Sequence, residues 1–255
     1  MLTLEKKDGV ARVTLDRPEV RNAFDDALIG RLHESFVSLG EDDSVRAIVL
    51  AGNGPAFCAG ADLNWMKRMA TYSYEENLAD ARALAEMLAA LDRMGKPTIA
   101  RVHGPAFAGG TGLVAACDIA VGSPEAKFCF SEAKLGLSPA TISPYVVRAI
   151  GERAARRYFL TAEVFDAQEA LRIGMLSIVT DKLDETIAAL LKHLLSGGAQ
   201  AIAHIKELIR AVSSAPLDER LIADTARRIA EIRVSTEGRE GIASFLEKRK
   251  PSWTK

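Results

Sequence analysis

Arg46-Ala-Ile-Val-Leu-Ala-Gly-Asn-Gly-Pro-Ala-Phe-Cys-Ala-Gly-Ala-Asp-Leu63 decides the reading of the fold. Residues Arg46 to Ala51 read as a buried strand, and Gly52 to Leu63 form a glycine-punctuated turn that leads into a helical pattern. Four small residues in a row, Cys58 to Ala61, let a backbone pass close to another group. A helix opening at Asp62 aims free N–H groups towards that group. A second strand-to-helix turn of this kind is His103-Gly-Pro-Ala-Phe-Ala-Gly-Gly-Thr-Gly112. Two such turns supply what an oxyanion hole requires, one negative oxygen held by N–H groups from separate loops. Taken alone, either turn reads more readily as a tight junction where a helix packs on a strand.

Outward from the first turn, strands and helices alternate. Leu2 to Lys7 and Val10 to Asp16 are β-prone runs around Asp8-Gly9, a hairpin signal. After Arg17-Pro18, Asn22 or Asp25 caps a helix whose apolar residues Leu28, Ile29, Leu32, Phe36 and Leu39 recur at helical spacing, ending near Gly40. A helix over Tyr74 to Met94, a strand at Thr98 to Val102, a helix at Gly110 to Ala116 and a strand at Ile119 to Gly122 follow. This order predicts an α/β fold with right-handed crossovers and a largely parallel sheet. Beyond Ser143, strand signals shrink to Leu176 to Thr180, and helical patterns dominate from Leu183 to Lys250. The last three helices, Ala199 to Arg210, Leu217 to Arg233 and Glu237 to Lys248, have little sheet left to cover, which predicts packing on another subunit.

Composition narrows the function classes. The 255 residues carry 33 Lys+Arg against 34 Asp+Glu, a formal charge of −1, so nothing draws the whole chain to a polyanion. That balance weighs against nucleic acid or an anionic membrane as the main partner. Cys58, Cys117 and Cys129 are odd in number and form no CxxC pair, which argues against a disulfide framework and against a thiolate metal site. No other His, Cys or acidic cluster has zinc spacing, so no metal is expected. The opening Met1 to Gly9 lacks the apolar segment of a secretion signal, and no apolar run nears the ~20 residues of a spanning helix. A cytoplasmic protein is expected. Ser131 and Lys134 match an SxxK pattern without its companion motifs and read as chance, and His103 reads as an interior histidine rather than a catalytic one.

The two turns are flanked by Arg17-Pro-Glu-Val-Arg-Asn-Ala-Phe24 and Phe128-Cys-Phe-Ser-Glu-Ala-Lys-Leu-Gly-Leu137. Together these four ordered motifs resemble the enoyl-CoA hydratase/isomerase (crotonase) superfamily. The resemblance runs to Glu237-Gly-Arg-Glu-Gly-Ile-Ala-Ser-Phe-Leu-Glu-Lys-Arg249 and so spans nearly the whole chain. It implies a crotonase-like spiral of ββα units, residues 1–195, and a C-terminal helical trimerisation region, residues 196–255, in a homotrimer or dimer of trimers. It also implies that backbone N–H groups of Ala61 and Gly109 stabilise the thioester enolate of an acyl-CoA. The CoA moiety, part of the substrate rather than a separate cofactor, is then expected along Glu19, Val20, Arg21, Ala23, Ala59, Asp62 and Leu63. Phe245 and Lys248 would reach in from a neighbouring subunit. Asp62, being acidic, is assigned a backbone contact or a helix cap. Lys248 to Lys250 read equally as a solvated helix end.

Hydration of an enoyl thioester needs a base to activate water and an acid to protonate the α-carbon, and hydratases of this superfamily generally use two glutamates. The second matches Glu132, where the apolar stretch Leu135 to Leu137 predicts a burial that lifts its pKa. The first falls on Gly112, which has nothing to titrate. Three readings stay open: an isomerase with a single glutamate base, a one-glutamate hydratase assisted by a group on its substrate, and a catalytically impaired CoA- or RNA-binding relative. Leu63-Asn-Trp-Met-Lys-Arg-Met-Ala70, Tyr72 and Ser143-Pro-Tyr-Val-Val-Arg-Ala-Ile-Gly-Glu-Arg153 resemble the bacterial branch that hydrates 3-methylglutaconyl-CoA or its terpenoid homologues in leucine and acyclic terpene breakdown. Those substrates carry a second carboxylate, which is expected to replace the missing side chain. Trp65, Met66, Met69 and Tyr72 recur at roughly helical spacing and read as core or as acyl-pocket lining.

Overall fold

The computed structural model describes residues 1–254. Strands β1 (Leu2–Lys7) and β2 (Val10–Leu15) form the expected hairpin. Its Asp8 and Gly9 both have positive φ, 50° and 79°, as a tight two-residue turn between twisted strands requires. Helix α1 (Asp26–Glu41) leads to β3 (Ala47–Gly52), and α2 (Leu63–Met69) and α3 (Tyr74–Arg93) lead to β4 (Thr98–Val102). Next come β5 (Ala106–Phe107), α4 (Gly109–Ala116), β6 (Ile119–Gly122), β7 (Lys127–Cys129), α5 (Ser143–Thr161), β8 (Phe165–Asp166), α6 (Ala167–Ile173) and β9 (Ile178–Val179). Of the two candidate caps for α1 it is Asp25 that serves, its carboxylate accepting the Leu28 N–H at 2.8 Å. Ser73 and Glu76 close a reciprocal capping box on α3.

The main sheet has the order β1-β2-β3-β4-β6-β9 and is parallel apart from the hairpin. A second sheet, β5-β7-β8, is assembled from pieces of two or three residues. After β4 and again after β6, the chain leaves the main sheet for a short strand of the second and returns by a helix. The first turn follows the same course, since Cys58 forms a parallel bridge to Ala106. This is the expected spiral of ββα units. The short strands escape the sequence because two residues cannot display a period-2 pattern.

Alternation on β3 sorts the core. Ile48 and Leu50 face the main cluster with α1 and α3 residues such as Leu32, Phe36 and Leu88, while Val49 joins Ile99 and Val121 under Leu183 and Ile187 of α7 (Leu183–Ser196). Three helices remain: α8 (Ala199–Val212), α9 (Glu219–Val234) and α10 (Thr236–Leu246). The chain returns to the sheet through α8, where Lys206, 8% exposed, pairs with Asp118 at 2.6 Å and donates to the Lys96 carbonyl. By contrast α9 buries none of its residues and leaves Ile222, Ile229 and Val234 exposed. Among the described residues no helix is long and apolar enough to cross a membrane.

Candidate active site

Arg17 organises the first wall of the site. Its guanidinium pairs with Asp25 at 2.7 Å and Asp62 at 3.2 Å and donates to the Ala23 carbonyl at 2.9 Å. Its own N–H goes to Asn22 Oδ1 at 2.8 Å. Asn22 is fully buried in the left-handed region (φ 58°), and its amide donates to the carbonyls of Asn53 and Ala56 at 2.8 and 2.9 Å. Asparagine tolerates that backbone better than most residues and has the polar head the site needs. Asn22, one of the two residues expected to cap α1, serves instead as this buried bracket, and Arg17, known from the sequence only as part of a motif, is its partner in holding the site.

These bonds lay two segments side by side. Ala59 N–H donates to the Arg21 carbonyl at 3.0 Å, Phe24 N–H to Gly60 at 2.7 Å, and Asp62 N–H to Phe24 at 2.7 Å. One ribbon therefore carries Glu19, Val20, Arg21 and Ala23 next to Ala59, Asp62 and Leu63. Glu19, Arg21 and Leu63 are exposed, Val20 and Ala59 half-buried, and Ala23 and Asp62 buried. The alternatives for the Asp62 side chain resolve to a cap: Oδ1 accepts the N–H groups of Asn64 and Trp65 at the start of α2, and Oδ2 holds Arg17. Phe245, 81% exposed, and Lys248 lie on and just after α10, which packs on α8 and α9, and no hydrogen bond or ion pair joins them to the ribbon.

The bonding of Phe24 to Gly60 and Asp62 leaves the Ala61 N–H between them without an acceptor, as the spacing of a parallel pairing dictates. Gly109 opens α4, so its N–H has no carbonyl one turn back to receive it. The two turns meet at Gly60 (φ 95°), where a Cβ would lie 3.1 Å from the Ala108 Cβ. Two unclaimed donors thus sit on touching turns.

Glu132 stands on a short 3-10 turn, Ser131–Leu135, three residues beyond Cys129. The Cys129 carbonyl accepts the Ala108 N–H at 2.8 Å, so the β5–β7 pairing that shapes the second turn also places this carboxyl. Its Oε2 is buried without a hydrogen-bond partner, and burial raises its pKa above the ordinary carboxylate value. The sequence-based reason for that burial is corrected. Leu135 and Leu137 are 57% and 59% exposed, and the turn packs on α5 instead.

Gly112 offers no titrating group and no vacancy. A Cβ there would lie 2.3 Å from Cγ2 of Ile142, which is 1% exposed, and 2.9 Å from its Cβ. The expectation that a substrate carboxylate replaces the missing side chain is corrected to this extent: an isoleucine closes that position. Trp65, 4% exposed, and Met69 join the main core, with the Trp65 indole N–H on Asp80 at 3.0 Å, so the core reading holds for these two. His103 is half-buried rather than interior, with Nε2 2.9 Å from the Gly54 carbonyl and Nδ1 buried without a partner.

The sequence profile of the family described as enoyl-CoA hydratase/isomerase matches residues 5–255. A solved enoyl-CoA hydratase from Shewanella pealeana superposes with a TM-score of 0.97 at 45% identity, covering 99% of this chain and 95% of that one. Pseudomonas aeruginosa AtuE superposes at 0.95 with 38% identity over 100% and 99% of the two chains. The 2,3-dehydroadipyl-CoA hydratase of Escherichia coli is 32% identical over 256 residues, 99% of this chain and 98% of that protein. With its spiral of ββα units and two facing glycine-rich turns, the chain belongs to the enoyl-CoA hydratase/isomerase family of the crotonase superfamily and is an enzyme of that family.

Proposed function

We propose that this enzyme adds water across the 2,3 double bond of an enoyl-CoA with a single glutamate, on a branched dicarboxylic acyl group of the 3-methylglutaconyl type. The observation that carries the reading is the pair of acceptor-free N–H groups, Ala61 and Gly109, on touching turns, with a buried carboxyl whose Oε2 has no partner just beyond the strand that pairs with the second turn. Ionised Glu132 takes a proton from water as the oxygen bonds to C3. The π electrons move to the thioester oxygen, whose charge the two N–H groups hold. Glu132, now protonated, returns the proton to C2 as the enolate collapses, so one H and one OH have been added. A carboxyl lifted by burial suits both halves of this cycle, because its acid and base forms lie closer to balance near neutral pH. Loss of one oxyanion donor costs roughly 3–4 kcal/mol of transition-state stabilisation.

What supports the acyl group is the sequence likeness around Leu63–Ala70 and Ser143–Arg153, together with a relative named for 2,3-dehydroadipyl-CoA. The same reading has the CoA moiety run along the Glu19–Ala23 and Ala59–Leu63 ribbon, with Phe245 and Lys248 contributed by another subunit of a homotrimer or dimer of trimers. Isomerisation is the second reading, favoured by the closure of Gly112 with Ile142, which leaves one carboxyl where proton transfer between two carbons needs only one. An assay of the purified protein on crotonyl-, 3-methylglutaconyl- and 3-enoyl-CoA, following hydration and isomerisation together, separates them. Hydration of the dicarboxylic thioester is the expected result. Isomerisation without hydration would replace it by the second reading, and inactivity on all three would point to an impaired CoA- or RNA-binding relative.

A further inference from the structure

The peptide joining Ala108 to Gly109 turns its C=O towards the helix, which leaves its N–H on the opposite side. In a planar trans peptide the C=O and the N–H point in opposite directions, and no peptide of the described chain is cis. Whatever captures the Ala108 carbonyl therefore aims the Gly109 N–H. That carbonyl accepts three donors: the Thr111 N–H at 2.9 Å, the Gly112 N–H at 3.4 Å and the Thr111 hydroxyl. The two N–H groups come with the helix and would be present for any residue at 111. The hydroxyl would not. Thr111 is fully buried, and the Ala108 carbonyl is the one partner of its Oγ1.

Ala108 needs such holding. Its backbone sits at φ 46°, ψ −119°, a region that residues with a Cβ rarely adopt. On its other side its N–H is tied to Cys129 at 2.8 Å. A small rotation of the 108–109 peptide would relieve the strain and swing the Gly109 N–H away. Hydrogen bonding to a carbonyl also polarises its own amide, which strengthens the N–H on the far side as a donor.

We propose that Thr111 is a positioning residue of the oxyanion hole, whose hydroxyl fixes the direction and the strength of the Gly109 N–H through the Ala108 carbonyl. This rests on the reading of Gly109 as an oxyanion donor. The test compares the full-length wild type with Thr111→Val, which keeps the β-branched shape, Thr111→Ala, and Thr111→Ser, which keeps the hydroxyl. The readouts are kcat and KM on the hydrated thioester, and the infrared C=O stretch of an enzyme-bound saturated acyl-CoA. For Thr111→Val and Thr111→Ala, kcat falls about 10- to 100-fold, part of the loss seen when a donor is removed outright. KM changes little, the C=O stretch moves up towards its value in water, and Thr111→Ser restores both. A loss of kcat with an unchanged C=O stretch, or no loss in either hydroxyl-free variant, would overturn the proposal. A wild-type C=O stretch equal to that of free acyl-CoA would overturn the oxyanion reading itself and the proposal with it.

Discussion

Gly112 is legible as a departure from the family pattern, but its cause lies in Ile142. Helix propensity alone would favour alanine over glycine at 112 by about 1 kcal/mol. A Cβ 2.3 Å from the Ile142 methyl instead overpacks a site with no room, a cost of about 1–3 kcal/mol. Gly112→Ala should therefore lower stability to urea, and in an Ile142→Ala background the same change should become neutral or stabilising. Equal costs in both backgrounds would mean the two residues are uncoupled. Glu132 yields a pH prediction. Burial raises its folded pKa, so the native state binds its proton more tightly than the unfolded chain. Its contribution to stability is then full below the unfolded pKa and is lost as pH rises through the folded value. Glu132→Gln, which cannot ionise, should stabilise the protein at pH 7 and lose that advantage near pH 4, while hydration collapses about 10²- to 10⁴-fold. In the wild type, kcat/KM should fall on the acid side at a pH above the ordinary carboxylate range.

The first turn exists as an element because Arg17 and Asn22 stitch it to the segment before α1. Asn22 satisfies three backbone groups from a fully buried position. Asn22→Gly keeps the left-handed backbone cheap and removes only the side-chain amide, stranding the Arg17 N–H and the carbonyls of Asn53 and Ala56. A loss of about 2–4 kcal/mol is expected, since each buried unpaired group costs roughly 1–3 kcal/mol. It should come with a raised KM, because Ala59 hangs from Arg21 in the same ribbon. Thermal unfolding and steady-state kinetics on the variant check the pair of effects, and a stability loss with KM untouched would detach the ribbon from CoA binding. Asp62 illustrates what an element can hide. Its position suggests a ligand contact, yet both carboxylate oxygens are occupied by the α2 N-terminus and Arg17.

The whole molecule leaves one end unfinished. Within a single chain α9 buries nothing, and Ile222 and Ile229 stand 56% and 47% exposed. If these faces pair between subunits, an Ile222→Asp, Ile229→Asp double variant should run as a smaller species by light scattering while keeping its far-ultraviolet spectrum. Its KM for acyl-CoA should rise, because Phe245 and Lys248 would no longer be supplied by a neighbour. An unchanged mass would refute the role assigned to α9.

Much of this architecture is written locally. Apolar runs, helical spacing and the small-residue turns at Cys58–Ala61 and Ala106–Gly110 needed only neighbours along the chain, so the sequence by itself determined the parallel sheet, the last three helices and the two strand-to-helix turns, while Glu132 as the lone carboxyl is what the family resemblance implies. The tertiary structure decided what depends on distant partners. Ile142 closes Gly112, the turn that carries Glu132 packs on α5 while Leu135 and Leu137 stay exposed, and β5, β7 and β8 pair although each is too short to show a period. Thr111 acquires its place in the site only once the Ala108 carbonyl is seen to face it. Steric exclusion and desolvation are properties of space, and residues far apart in sequence create them together.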